Sequence, residues 1–293
     1  MPITLVKLSP NEFADMTELV YNRTGIFLPE SKLNLLSNRL RRRLRQLNLE
    51  SFRQYYELLL SEAGCKKELP FFLSAVTTNE TYFFRNDALW DYLRKTWIPE
   101  RRRHAAATQK KSMRIWSAAS SSGEEAYTAA ICLRETLQDF STWQITIVGT
   151  DISQKMLDHA RAGIYNDYAV SKTPAGTLQR WFKKADDGYR LKDEIKRLVR
   201  FQFHNLRDAL PEEPFDLVFL RNVLMYFDEP MKQTVLGRVT DATQPGGYVF
   251  IGDVDPVRST PALRDTLDLE FLGPNLYRKP SSAHSPACGG EVA

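Results

Sequence analysis

The chain is predicted to adopt an α/β fold, a mostly parallel sheet with helices on both faces, preceded by a small all-helical region. Three observations point there. Helical patterns fill roughly residues 10–24, 31–47, 51–61 and 66–76, with Gly25 and Pro29 punctuating the first gap. Beyond residue 76, short apolar runs alternate with helical stretches, the order that builds a parallel sheet covered on both sides. A length of 293 residues also leaves room for one domain plus a smaller one.

Among the N-terminal helices, Leu33, Leu36, Leu40, Leu44 and Leu47 step by three and four residues and share one helix face. Arg39, Arg41, Arg42 and Arg45 project away from that stripe, with Arg43 at its edge. Residues 1–75 carry 11 Lys and Arg against 8 Asp and Glu, so the excess of positive charge gathers here. The arginine face is read as a docking surface for an acidic partner, because guanidinium forks pair with carboxylates. A merely solvated face is the alternative.

Next comes Thr77-Thr78-Asn79-Glu80-Thr81-Tyr82-Phe83-Phe84-Arg85. Hydroxyls, an amide, three aromatics and an arginine make poor core and poor linker. They suit the wall of a site for a small polar cofactor with an aromatic portion. Alone, the segment also reads as a helix cap at Thr78 or Asn79. The Arg101–Lys111 stretch is read as a solvated basic loop leading into the first strand.

The strand candidates are Met113–Ala118, Ile145–Thr150, Val199–Phe203, Phe215–Leu220 and Tyr248–Gly252. In such a sheet, ligands sit outside the carboxyl ends of the strands, near the point where strand order reverses. The first strand runs into Ser117-Ala118-Ala119-Ser120-Ser121-Ser122-Gly123-Glu124-Glu125 and then a helix. Small residues let backbone approach a ligand, but one glycine is not a nicotinamide fingerprint, and the paired glutamates disfavour phosphate. A ligand with positive charge or free hydroxyls fits better, with Glu124 or Glu125 also complementing the helix dipole. Asp151 ends the second strand, where an acidic residue accepts from ribose hydroxyls; an N-cap role is the alternative. Asn205 follows a strand, placed to read an adenine edge or to hold its loop. His204 is expected to be neutral and satisfied. Arg221 and Asn222 end the Phe215–Leu220 strand, with Tyr226 just beyond.

These motifs together, with Trp-Ser-Ala-Ala-Ser-Ser-Ser-Gly-Glu-Glu-Ala-Tyr, Gly-Thr-Asp-Ile and Phe-Asp-Leu-Val-Phe-Leu-Arg-Asn-Val-Leu-Met-Tyr-Phe, resemble the chemotaxis receptor methyltransferases, the CheR family. The likeness runs in order through residues 10–280. It implies a class I fold that binds S-adenosylmethionine (SAM), residues 77–280, with a small β-subdomain at about 176–203. It also implies a docking domain over residues 1–76. Residues 281–293, rich in Ser, Gly, Ala and Pro, are expected by composition to be a disordered tail. The implied activity is methylation of glutamate side chains on chemoreceptor cytoplasmic helices. Carried over by position, the implied cofactor contacts are Asn79, Thr81, Arg85, Glu124, Asp151, Asn205, Leu206, Arg221 and Asn222. Arg85 and Tyr226 would face the reacting methyl, and Arg39, Arg41, Arg42 and Arg45 would meet the receptor. A SAM-binding regulator, or a methyltransferase for another substrate, is the alternative.

Two stretches depart from the family pattern. Trp181–Arg190 lacks the glycine-containing loop by which some members grip a receptor pentapeptide, so a pentapeptide-independent enzyme is expected. Gly252-Asp253-Val254-Asp255-Pro256 stands where Gly-His-Ser-Glu is frequent. A net charge of +4 does not argue for nucleic acid. No membrane span, signal peptide or metal-ligand spacing is evident, and three scattered cysteines suit a reduced, cytoplasmic setting. A monomer is expected.

Overall fold

The computed structural model describes residues 7–77, 79–252, 268–273 and 275–281. Four helices open it: α1 (Pro10–Thr24), α2 (Leu33–Gln46), α3 (Phe52–Leu60) and α4 (Glu62–Val76). Ser9 caps α1 in a capping box, its backbone N–H donating to the Glu12 carboxylate at 2.9 Å. Gly25 ends α1 at φ 77°, and a Cβ there would meet the Met231 side chain at 2.6 Å. The leucine stripe of α2 packs as expected, with Leu36, Leu40 and Leu44 buried.

The opposite face of α2 departs from a free arginine surface. Arg39 donates to the carbonyls of Ala75 and Thr77 at 3.0 and 2.9 Å, satisfying orphan acceptors where α4 ends. Arg43 forks onto the buried Glu68, which also accepts from Tyr55, and stacks 3.9 Å over the Phe71 ring. Arg41 donates to Asn38, and Arg45 to the Arg41 carbonyl. Arg42 and Arg45 are exposed. A helical projection sees one helix; it cannot see α4 lying alongside and recruiting Arg39.

The second part opens with α5 (Asp87–Tyr92) and α6 (Ile98–Thr108). The basic stretch expected as loop is therefore largely helix. Its alanines favour helix, and burial of Ile98 and Ala105 fixes it against the sheet. Nor is it inert, since Arg101 pairs with Asp216 at 2.5 Å, both largely buried. Then follow β1 (Ser112–Ala118), α7 (Glu124–Thr136), β2 (Gln144–Asp151) and α8 (Gln154–Ala162). An insertion comes next: β3 (Ile164–Tyr165), α9 (Asp167–Val170), α10 (Ala175–Trp181), β4 (Phe182–Ala185) and β5 (Gly188–Leu191). After α11 (Asp193–Lys196) the main sheet resumes with β6 (Val199–Phe203), β7 (Phe215–Leu220), α12 (Glu229–Ala242), β8 (Thr243–Ile251), β9 (Glu270–Gly273) and β10 (Leu276–Arg278).

The strand order is β6-β2-β1-β7-β8-β10-β9, parallel except for β10, which pairs antiparallel with β8 and β9. The five expected strands all form. Their order reverses between β1 and β7, which pair in parallel through Ala118 and Leu220. That is the switch point at which such sheets bind ligands. Separate from it, β3, β5 and β4 make a small antiparallel sheet, so the β-subdomain begins earlier in the chain than expected, and Val199–Phe203 belongs to the main sheet.

The two faces of the main sheet feed two cores. Met113, Ile115, Leu217 and Phe219 pack with α7 and the insertion. Trp116, Ala118, Val218 and Leu220 pack in one cluster with α12 and with Met16, Leu40 and Phe52 of the N-terminal helices. The N-terminal helices thus share a hydrophobic core with the sheet.

Candidate active site

At the switch point the chain turns sharply. Ala119 and Ser121 follow β1 at φ 60° and 49°, a left-handed conformation that costs non-glycine residues energy and gathers at functional sites. The turn delivers the Ser121 N–H to the Asp151 carboxylate at 2.8 Å, and the Ser153 N–H reaches its other oxygen at 2.8 Å. Asp151 is buried; desolvation raises its pKa, offset by these N–H donors. With the Ile152 N–H also bonded, the carboxylate keeps acceptor capacity for a ligand hydroxyl.

Arg221 comes off the end of β7 and reaches across to the first turn of α7, pairing with Glu125 at 3.0 Å with both side chains largely buried. Its other terminal nitrogen donates to the Arg85 carbonyl at 3.0 Å, which also accepts from the Trp90 indole at 3.0 Å. The backbone at Arg85 is therefore fixed by two donors. Its guanidinium donates to the Glu80 carbonyl at 3.0 Å and lies 5.6 Å from the Tyr82 ring centroid. Asn222 takes φ 58°, which asparagine tolerates better than most residues.

Between these groups lies a cleft at the carboxyl ends of β1, β2 and β7. Eight of the nine anticipated cofactor contacts line it: Asn79, Thr81, Arg85, Asp151, Asn205, Leu206, Arg221 and Asn222, joined by Tyr226. Glu124 does not line it. It points into the neighbouring groove, buried, accepting from Ser122, with its carboxyl pushed up to about 7 by desolvation. Its neighbour Glu125 takes the place on the cleft wall. Of the four arginines expected to meet a partner, Arg39 and Arg42 line that neighbouring groove. Thr78 and residues 253–256 lie outside the described residues.

Several features of the cleft were not anticipated. Thr24 and Ile26 from the N-terminal helices roof it, held there by the Ile26–Phe227 bridge and by the Phe27 N–H donating to the Tyr226 carbonyl at 2.8 Å. The helix-ending Gly25 signals a turn there but not what the turn meets. Asn205 spends its side chain on structure: its amide donates to the Arg23 carbonyl at 2.9 Å, and its oxygen accepts from the Arg207 N–H. His204 is buried and kept neutral by desolvation, as expected, but its Nε2 has no partner among the described residues. Ser120 Oγ is likewise buried and has no partner among the described residues, and both residues line the cleft.

These residues fit SAM. Asp151 offers a carboxylate at the ribose position, Ser120 and His204 hold buried polar atoms for a ligand to satisfy, and Leu206, Ile26 and Phe227 offer apolar surface for a base. Among the described residues no cluster of His, Cys, Asp or Glu is placed to hold a metal, and no helix is long and apolar enough to cross a membrane.

Fold and cleft together define a class I SAM-dependent methyltransferase with an all-helical N-terminal extension. Comparison with known proteins narrows the class. Residues 79–270 match the family model for the CheR methyltransferase SAM-binding domain, and residues 11–77 match that for the CheR methyltransferase all-alpha domain. The chain belongs to the CheR methyltransferase family. It is 36% identical to a probable chemotaxis protein methyltransferase of Rhizobium etli, over 82% of this chain and 90% of that one. It is 34% identical to the chemotaxis protein methyltransferase of Vibrio parahaemolyticus, over 94% and 99%. With chemotaxis protein methyltransferase 2 of Pseudomonas aeruginosa the identity is 38%, over 82% and 85%.

Proposed function

We propose that this protein is a protein-glutamate O-methyltransferase acting on the cytoplasmic helices of a chemoreceptor, in the adaptation branch of chemotaxis. The observation that carries this reading is the convergence of Arg85 and Tyr226 on a cleft that also holds Asp151. A carboxylate substrate needs a cation to receive it and a hydroxyl to orient it, and this cleft has both. When bound, SAM supplies a methyl already activated on sulfonium. Asp151 holds the ribose, and the buried polar atoms of Ser120 and His204 accept or donate to the cofactor. Arg85 draws in the glutamate, and Tyr226 aligns it. No general base is required, because a glutamate with a reference pKa of about 4.3 is already ionised near neutral pH. Catalysis then rests on positioning and on exclusion of water.

Residues 1–76 act in this scheme as the docking domain and 77–280 as the catalytic one, with Arg41, Arg42 and Arg45 meeting the acidic receptor helix. Recognition is independent of a receptor pentapeptide, the protein works as a monomer, and the setting is cytoplasmic. The test is to incubate the purified protein with methyl-labelled SAM and receptor cytoplasmic fragments, then release methanol with mild base. Base-labile label on receptor glutamates is the expected result. SAM binding without receptor label would overturn the proposed substrate.

A further inference from the structure

We infer that Tyr168, in the β-subdomain insertion, is a positioning residue for Arg85 and so sets the rate of methyl transfer. The inference rests on the role of Arg85 given above. Tyr168 lies on α9, far from Arg85 in sequence, and is 53% exposed, so burial does not explain an aromatic there. It reaches Arg85 by two routes. Its hydroxyl donates to the Glu80 carboxylate at 2.6 Å, and the carbonyl of the same Glu80 accepts from the Arg85 guanidinium at 3.0 Å. Its ring meets the Tyr82 ring edge-on at 5.9 Å, and the Arg85 guanidinium lies 5.6 Å from Tyr82.

The insertion can bear the load. The Phe83 N–H donates to the Ala169 carbonyl at 2.9 Å, one residue from Tyr168. The buried Phe83 ring packs edge-on against Tyr165 and Phe182, at 4.8 and 5.0 Å. Residues 80–85 are therefore anchored to the insertion at Phe83, and Tyr168 contacts Glu80 and Tyr82, the two residues on which the arginine leans. A guanidinium on a long side chain has many rotamers, and two external holds narrow them to the one facing the cleft.

The experiment measures kcat and KM for a receptor fragment, the Kd for SAM and the Tm of Tyr168→Phe, Tyr168→Ala and Arg85→Ala in the full chain. Tyr168→Phe removes only the hydroxyl route and is expected to lower kcat about threefold; Tyr168→Ala removes both and should lower it about thirtyfold. Affinity for SAM and Tm should hold, since the side chain is exposed and does not line the cleft. In an Arg85→Lys background the effect of Tyr168→Ala should shrink, because a shared route to the arginine makes the two changes non-additive. Wild-type kcat in Tyr168→Ala, alongside an inactive Arg85→Ala, would overturn this inference alone. Wild-type turnover in Arg85→Ala would overturn the site assignment itself. Equal, additive losses in both backgrounds would show that Tyr168 acts elsewhere and also overturn the inference.

Discussion

The cleft has a floor and a roof built by different means. The floor comes from three strand ends, β1, β2 and β7, and its polar groups are held by the turns and the α7 helix that follow those strands. The Ser121 and Ser153 N–H groups grip Asp151, and Arg221 grips Glu125. The roof comes from the N-terminal helices, which share a hydrophobic core with the sheet, and from residues 79–85, and long-range hydrogen bonds fasten its edge at the cleft. Tyr21 donates to Asp228 at 2.8 Å, Arg207 to the Asn22 carbonyl at 2.6 Å and Asn205 to the Arg23 carbonyl. The floor is thus rigid and suited to holding a cofactor. At the rim of the cleft the roof adds hydrogen bonds each worth about 1 kcal/mol, a small part of what its shared core contributes.

The largest expected effect tests whether the two parts do separate jobs. Arg85→Ala should reduce methyl transfer by about 100-fold or more while leaving SAM affinity within a few fold, because the backbone of Arg85 stays pinned by Arg221 and Trp90. Steady-state kinetics beside calorimetric SAM titration separates the two. An equal loss of affinity and rate would erase the division between floor and roof.

Arg221→Ala attacks the floor instead. It leaves the largely buried Glu125 without its cation and the Arg85 carbonyl short of one donor, a type of loss that costs about 3–5 kcal/mol. Thermal unfolding should show a Tm lower by several degrees, with SAM binding weakened in parallel. A Tm within one or two degrees of wild type would mean the floor is less rigid than its hydrogen bonds imply.

How much of this was legible in the sequence divides along the same line. The floor follows local rules: apolar strands, a small-residue turn and an acid at the end of β2 place Asp151 and Arg221 by pattern alone. The roof depends on contacts between residues far apart in the chain, such as Ile26 with Phe227 or Tyr168 with Glu80. No periodicity encodes those. The two glutamates opening α7 mark the limit most sharply. Both satisfy the motif equally, and which one faces the cleft depends on how α7 rotates against Phe201 and Ala160, which lie 2.8 and 2.9 Å from where a Gly123 Cβ would stand. On α2 the same limit applies, because the pairing of Arg39 and Arg43 with the neighbouring α4 is not written in the helical pattern.

Glu124 offers a milder test of the floor. Burial pushes its carboxyl up to about 7, above the ordinary value of 4.5. The native state therefore holds a proton that the unfolded chain gives up, and the stability this contributes is full below about pH 4.5 and lost as pH rises through 7. A shift of this size corresponds to about 3 kcal/mol between those limits. Asp151, also raised, acts with the same sign. Tm should therefore fall from pH 5 to pH 8, and Glu124→Gln, which keeps an acceptor for Ser122, should flatten that fall. An unchanged slope would place the pH dependence elsewhere.

The smallest effect separates two meanings of Asn205. Its position after β6 suits the reading of an adenine edge, yet its amide and its oxygen both already have protein partners, Arg23 and Arg207. As a tether between floor and roof, its loss in Asn205→Ala should cost about 1 kcal/mol of stability and raise the KM for receptor, while SAM affinity changes less than threefold. As a base reader, its loss should weaken SAM tenfold or more, since a buried polar edge would go unpaired. One calorimetric titration of SAM into the variant distinguishes these. Near-wild-type affinity would mean that the residue closes the roof over the cofactor. A tenfold loss would mean that the tether releases when SAM binds, making the roof a part that moves with the catalytic cycle.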